Sequence, residues 1–179
     1  MCVKYKYLIF LFSLIYSILE ISSKFEFTNV ECKSLDKNFA DFEYCYIKSV
    51  NRSYKYLSLK ANVFKKPITK LKVNGALFKR LNGYRPFMYN VTVDACRFMD
   101  NKNSNPVAGY FFDFIKLNSN INHSCPYTHD FIVDKLSIDE VNHRITNVLP
   151  FPEGAYMVET HWIAYDIDRV VVKVYGTLS

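Results

Sequence analysis

Residues 87–95 read FMYNVTVDA, and their alternation decides the fold class. Phe87, Tyr89, Val91, Val93 and Ala95 fall on one side of an extended chain, and Met88, Asn90, Thr92 and Asp94 on the other. Strand side chains point to opposite faces with a period of two, so this stretch predicts a strand with one apolar face. The pattern repeats to either side. Leu57, Leu59, Ala61 and Val63 alternate with Ser58, Lys60 and Asn62. Tyr156, Val158, Thr160 and Trp162 make another face, and Val170, Val172 and Val174 the last. Further strands are expected over 25–30, 39–48, 69–77, 131–136 and 144–148. Short strands in a chain with no internal repeat and no flexible linker predict a mainly β fold, a single β-sandwich.

One segment changes period. Residues 105–118 read NPVAGYFFDFIKLN, with Val107, Tyr110, Phe111, Phe114 and Ile115 at helical spacing. Asn105 is a suitable N-cap and Pro106 a favoured first residue, which predicts one short helix near 106–117.

The N-terminus carries an address. Lys4 and Lys6 precede an uncharged apolar run over 7–19, Glu20 ends it, and Ser22 and Ser23 offer small residues for cleavage. A spanning helix needs about 20 apolar residues. This run is shorter, so residues 1–23 are expected to be a signal peptide and 24–179 one secreted domain. That leaves about 156 residues, enough for one core. No second stretch approaches spanning length, so the mature chain is expected to be soluble and without a transmembrane segment.

Cleavage removes Cys2 and leaves Cys32, Cys45, Cys96 and Cys125. An even count in an oxidising compartment argues for two disulfides, with three connectivities open. Pairing Cys32 with Cys45 and Cys96 with Cys125 closes a short loop within each part of the chain. Three glycosylation sequons begin at Asn51, Asn90 and Asn122. Asn90 falls on the polar side of the opening alternation.

Cleavage takes two of 23 basic and one of 17 acidic residues, for a net charge of +5 spread along the chain. No basic run or face forms, so no nucleic-acid partner is expected. Five glycines offer no phosphate cradle, and there is no GxSxG, HExxH or Walker signature. The histidines are His123, His129, His143 and His161. His123-x-Cys125-x3-His129 has the look of a metal cluster, but Cys125 is needed for a disulfide, and zinc sites want a second ligand pair. Asp139-Glu140, Asp166 and Asp168 sit in turn-like contexts suited to caps rather than acid–base work. No enzyme activity, metal or cofactor is expected.

Several blocks together resemble a known family. They are TNVEC (28–32), FADFEYCYIKSVNRSYKYLSL (39–59), LFKRLNGYRPFMYNVTVDACRF (77–98), NHSCPY (122–127), LPFPEGAY (149–156) and VVVKVYGTLS (170–179). The chain resembles an insect, mainly dipteran, secreted family of unknown function. That family is similar to the chemosensory B proteins and, more remotely, to the ML lipid-recognition superfamily that includes the ganglioside activator protein. The resemblance implies an immunoglobulin-like, ML-like β-sandwich holding a lipid between its sheets. It implies no catalytic residue. Two disulfides, where ML proteins often carry three, are a departure.

The expected function is therefore binding of a hydrophobic small molecule or lipid between the sheets, with chemosensation as its setting. Candidate cavity residues are Phe87, Tyr89, Val91, Phe111, Phe114, Tyr156, Val158 and Trp162. With 14 Tyr and 15 Phe in the chain, tyrosines at a rim have their hydroxyls available to water or a headgroup. The alternative is an extracellular protein partner that docks on a glycan-free face of a closed core.

Overall fold

Eight strands carry the alternating segments: β1 (Phe25–Ser34), β2 (Ala40–Ser49), β3 (Lys55–Val63), β4 (Leu71–Leu81), β5 (Gly83–Asp94), β6 (Phe131–Ser137), β7 (Gly154–Ala164) and β8 (Ile167–Leu178). They form two antiparallel sheets, one ordered β1-β8-β7-β4-β5 and the other β2-β3-β6. The chain is a mainly β sandwich. This computed structural model describes residues 24–51, 54–147 and 151–179, so the expected signal peptide, 1–23, lies outside the described residues.

Helices are more numerous than the sequence predicts. The expected one is α2 (Pro106–Ile115), with the Asn105 carboxamide oxygen accepting from the Ala108 N–H. Before it, the strand that was expected to run through Ala95 stops at Asp94. The Asp94 carboxylate accepts from the Arg97 N–H and caps a short helix, α1 (Ala95–Asp100). A third helix, α3 (Ile138–Asn147), replaces the strand expected from residue 144, and residue 148 lies outside the described residues. Ser137 and Glu140 cap it reciprocally: the Glu140 carboxylate accepts from the Ser137 N–H, and the Ser137 hydroxyl accepts from the Glu140 N–H. Ile138 and Val141 are buried on one face of that helix, which is why helical spacing wins over the β-branched tendency of the following residues.

Both disulfides take the short-loop pairing. Cys32–Cys45 joins β1 to β2 and so fastens one edge of each sheet to the other. Cys96–Cys125 ties α1 to the segment that leads into β6. The second edge of the sandwich is formed by β5 and β6. Helix α2 lies between them, with Phe111 against Tyr89 of β5 and Asn118, just past its end, accepting from the Asp134 N–H of β6.

The buried residues separate into two clusters. Leu71, Ala164, Val170 and Val63 mark one, and Leu77, Tyr156, Leu178 and Leu57 the other. Each of β3, β4, β7 and β8 contributes to both, from opposite ends of the strand. Domains of this size usually hold one contiguous core. Here the sandwich is filled at both ends and not in the middle.

One polar position is inverted. Ser58, on the predicted polar face of β3, is fully buried. The β3–β6 register shifts between Leu57 and Leu59, and the Ser58 hydroxyl accepts from the Lys135 N–H that the bulge leaves unpaired in the ladder.

Candidate functional site

The middle of the sandwich is a cavity of about 340 Å³. Its cause can be followed residue by residue. Gly75 at the centre of β4 is paired with Thr160 of β7 and Val91 of β5, and all three line the space. A Cβ on Gly75 would meet no atom within 4 Å. The missing side chain and the wedge of α2 together keep the two sheets from filling the gap.

The wall is hydrocarbon. No charged side chain lines it, and its polar side-chain atoms are engaged within the protein. The Trp162 indole N–H donates to Thr160 Oγ1 at 3.1 Å, and the Thr160 hydroxyl donates to the Val172 carbonyl at 3.4 Å. The Tyr156 hydroxyl donates to the Pro152 carbonyl. The Tyr127 hydroxyl donates to the Ile121 carbonyl at 3.3 Å, and burial pushes that phenol up to about 12. Nothing on the wall asks a ligand for a hydrogen bond.

Of the eight candidate residues, Val91, Phe111, Phe114, Tyr156, Val158 and Trp162 line the cavity. Phe87 and Tyr89 do not, and a bulge explains it. Ala76 pairs with Asn90 but Phe78 pairs with Pro86, so β5 holds two more residues than β4 across this interval. Met88 sits there at φ 59°. The rings are carried outside the cavity, Phe87 onto Tyr156 and Tyr89 onto Phe111, with centroids 5.9 and 5.8 Å apart. Lys79 places its ammonium 5.6 Å from the Phe87 ring centre and 5.4 Å from that of Tyr156. Sequence reading missed the opposite wall, Leu59 of β3 and Phe131 of β6 among it, although the same period-two rule was available for β3.

One polar group beside the cavity has no hydrogen-bond partner. The Tyr110 hydroxyl is buried among aromatic neighbours, with Phe111 and Phe114 edge-on at 5.4 and 5.2 Å, and burial pushes it up to about 12.

Other chemistry-bearing side chains lie elsewhere. The outer face of β7 and β8 carries His161 between two carboxylates, with Asp168 at 2.5 Å from Nδ1 and Glu159 at 2.9 Å from Nε2. Both ring nitrogens are engaged, so neither serves as a free base. Cys125 is bonded to Cys96, and no group of three metal-ligating side chains gathers among the described residues. The sequon residues Asn51, Asn90 and Asn122 are all exposed. No helix among the described residues is long and apolar enough to cross a membrane.

Residues 73–158 match the family described as "Protein of unknown function (DUF1091)". The match runs from β4 into β7 and includes α2 and the Cys96–Cys125 loop. No curated protein matches the chain. Several solved structures are similar to it, two of them as follows. One is chicken MD-1 complexed with lipid IVa, at 14% identity and TM-score 0.35, covering 88% of this chain and 97% of that one. The other is a Niemann-Pick type C2 protein from Japanese carpenter ant, at 12% identity and TM-score 0.32, covering 87% of this chain and 92% of that one.

Proposed function

We propose that this protein is a secreted, non-enzymatic carrier of a hydrophobic small molecule held between its two sheets. The observation that carries the reading is a central cavity walled by hydrocarbon whose polar atoms already have partners. A space of that volume equals roughly ten waters at about 30 Å³ each. Water there would find no hydrogen bonds, whereas an acyl or alkyl chain gains about 0.8 kcal/mol for each methylene buried. The portion of the ligand inside the sandwich is therefore an aliphatic chain, and any polar headgroup stays outside.

The same reading takes residues 1–23 as a signal peptide removed on secretion, which fits the two disulfides of the domain that remains. N-linked glycans at Asn51, Asn90 and Asn122 fit the exposure of all three side chains. A role in chemosensation rests on the resemblance to the chemosensory B proteins.

The experiment is native mass spectrometry of protein secreted from eukaryotic cells, followed by uptake of a fluorescent fatty acid. A co-purifying aliphatic molecule, or saturable uptake at one site per chain, is the expected result. Protein that carries nothing and takes up nothing overturns the carrier reading and favours a closed-core domain that binds an extracellular protein partner.

A further inference from the structure

The His123–His129 pair is left unused by the cavity. His123 precedes Cys125 on one side of Tyr127, and His129 follows on the other. The turn between them brings the two imidazoles together edge-on, with Nε2 to Nε2 at 2.6 Å, ring centroids 5.0 Å apart and the planes 67° from parallel. Three anchors hold this turn. Cys125 is bonded to Cys96, the Tyr127 backbone exchanges two hydrogen bonds with Ile68, and the buried Tyr127 ring packs 4.8 Å from His123 and 6.0 Å from His129.

We propose that His123 and His129 form a two-imidazole site for a divalent transition metal, with Cu2+ the ion it fits. Each ring has its other nitrogen against a backbone carbonyl, His123 Nδ1 at 2.7 Å from the Ser124 oxygen and His129 Nδ1 at 2.9 Å from the Asp130 oxygen. The pair itself is joined by an Nε2–H···Nε2 hydrogen bond; moving that one proton to the Nδ1 of its own ring satisfies both carbonyls and frees both Nε2 lone pairs for an ion, with the rings oriented by their Nδ1 bonds as in histidine metal sites. The Asn120 amide, 3.0 Å from His129 Nδ1, keeps its own bond to the Asp130 carbonyl at 2.7 Å in that state. Of the nearby charges, Asp130 takes the Lys66 ammonium at 2.6 Å, and Lys102 donates to the neutral Asn122 side-chain oxygen at 2.6 Å.

The ligand type and the affinity order select the ion. With metal–nitrogen bonds of about 2.05 Å, two adjacent corners of a square plane lie about 2.9 Å apart, and two corners of a tetrahedron about 3.3 Å. The observed 2.6 Å is a hydrogen-bonding separation shorter than either, so the two rings move apart by a few tenths of an ångström to admit an ion. Tetragonal nitrogen and oxygen coordination is the preference of Cu2+, which also heads the divalent affinity order. With no third protein ligand gathered among the described residues, water completes the coordination. His123 is exposed, so the ion can reach the site from solvent.

The test is titration of Cu2+ into the secreted full-length product, followed by electron paramagnetic resonance. One Cu2+ per chain, an axial signal with coupling to two imidazole nitrogens, and a thermal midpoint that rises with Cu2+ support the site. H123A changes an exposed ring and leaves the fold in place, while H129Q keeps a polar group beside Asn120. Each should weaken binding by more than the roughly 10- to 100-fold typical of losing a supporting hydrogen bond to a ligand. H143A serves as the control and should leave the spectrum unchanged. Cu2+ uptake that survives H123A and H129Q together, or a pair that stays hydrogen-bonded and takes up no Cu2+, overturns the proposal. Binding of Zn2+ as tight as that of Cu2+ overturns the assignment of the ion.

Discussion

Gly75 and Thr160 are register partners at the centre of the five-stranded sheet, and the space above the glycine is empty to 4 Å. Thr160 keeps its hydroxyl against its own sheet by donating to the Val172 carbonyl, so it too leaves the middle of the sandwich open. The pair sets the cavity's position midway between the two buried clusters.

Filling that position should therefore separate binding from folding. Gly75→Leu places a side chain in open space at a residue whose φ is not restrictive, so it meets no clash. The new side chain buries apolar area worth about 1.5–3 kcal/mol at most, and leaving glycine in a strand removes a cost of about 0.5–1 kcal/mol. The thermal midpoint is expected to hold or rise while fluorescent fatty-acid uptake falls at least about tenfold. Uptake equal to the parent protein's would place the ligand somewhere other than between the sheets.

Much of this wall was legible before any coordinates. Val91, Val158 and Trp162 follow a period of two because each strand has one buried face, and α2 followed from Asn105-Pro106 and the aromatic spacing after it. What failed depended on partners. The Phe87–Tyr89 bulge exists only relative to β4, where Ala76 and Phe78 sit opposite Asn90 and Pro86. Residues 144–148 read as one more short strand, although Ser137 and Glu140 carry a capping-box signal three residues apart that marks a helix start. That Gly75 faces a void, or that His123 meets His129, is a property of packing between segments and left no local trace.

A second glycine behaves in the opposite way. A Cβ on Gly176 of β8 would lie 2.1 Å from Phe25 Cζ and 2.3 Å from its Cε2. Phe25 is buried and belongs to one of the two clusters, so its ring has little room to withdraw. Gly176→Ala should destabilise by about 1–3 kcal/mol, the usual cost of overpacking. In a double-mutant cycle with Phe25→Leu, chemical denaturation should show the two changes to be non-additive, with part of the loss recovered. Additive losses would mean that the contact with the ring is not the cause.

The unpartnered Tyr110 hydroxyl gives a stability prediction of the other sign. A buried donor with no acceptor costs about 1–3 kcal/mol, and an apolar replacement of the same shape removes that cost. Tyr110→Phe should raise stability by about 1 kcal/mol and leave fatty-acid uptake unchanged. A loss of stability would show that the hydroxyl has an acceptor, such as an ordered water.

The outer face should impose a pH dependence through His161. Burial pushes the imidazole down, but hydrogen bonds to Glu159 and Asp168 outweigh it and hold the group above its usual value of 6.5. A raised folded value means the charged ring adds stability below about pH 6.5, and that contribution is lost as pH rises through the raised value. Glu159 runs the other way. Burial pushes it up, hydrogen bonds from Lys173 and His161 prevail, and the net shift is downward from 4.5. Its contribution is present above 4.5 and fades as pH falls through the lowered value. Because solvent reaches the His161 ring, the effect should stay below about 1 kcal/mol. Comparing thermal midpoints of the parent and His161→Gln at pH 5.5 and 8.5 gives the check. The substitution should lower the midpoint more at pH 5.5 than at pH 8.5, since the ring between its two carboxylates carries its charge more fully at the lower pH. An equal loss at both values would show that His161 acts there as a neutral hydrogen-bonding group, with its charge playing no part in holding β7 to β8.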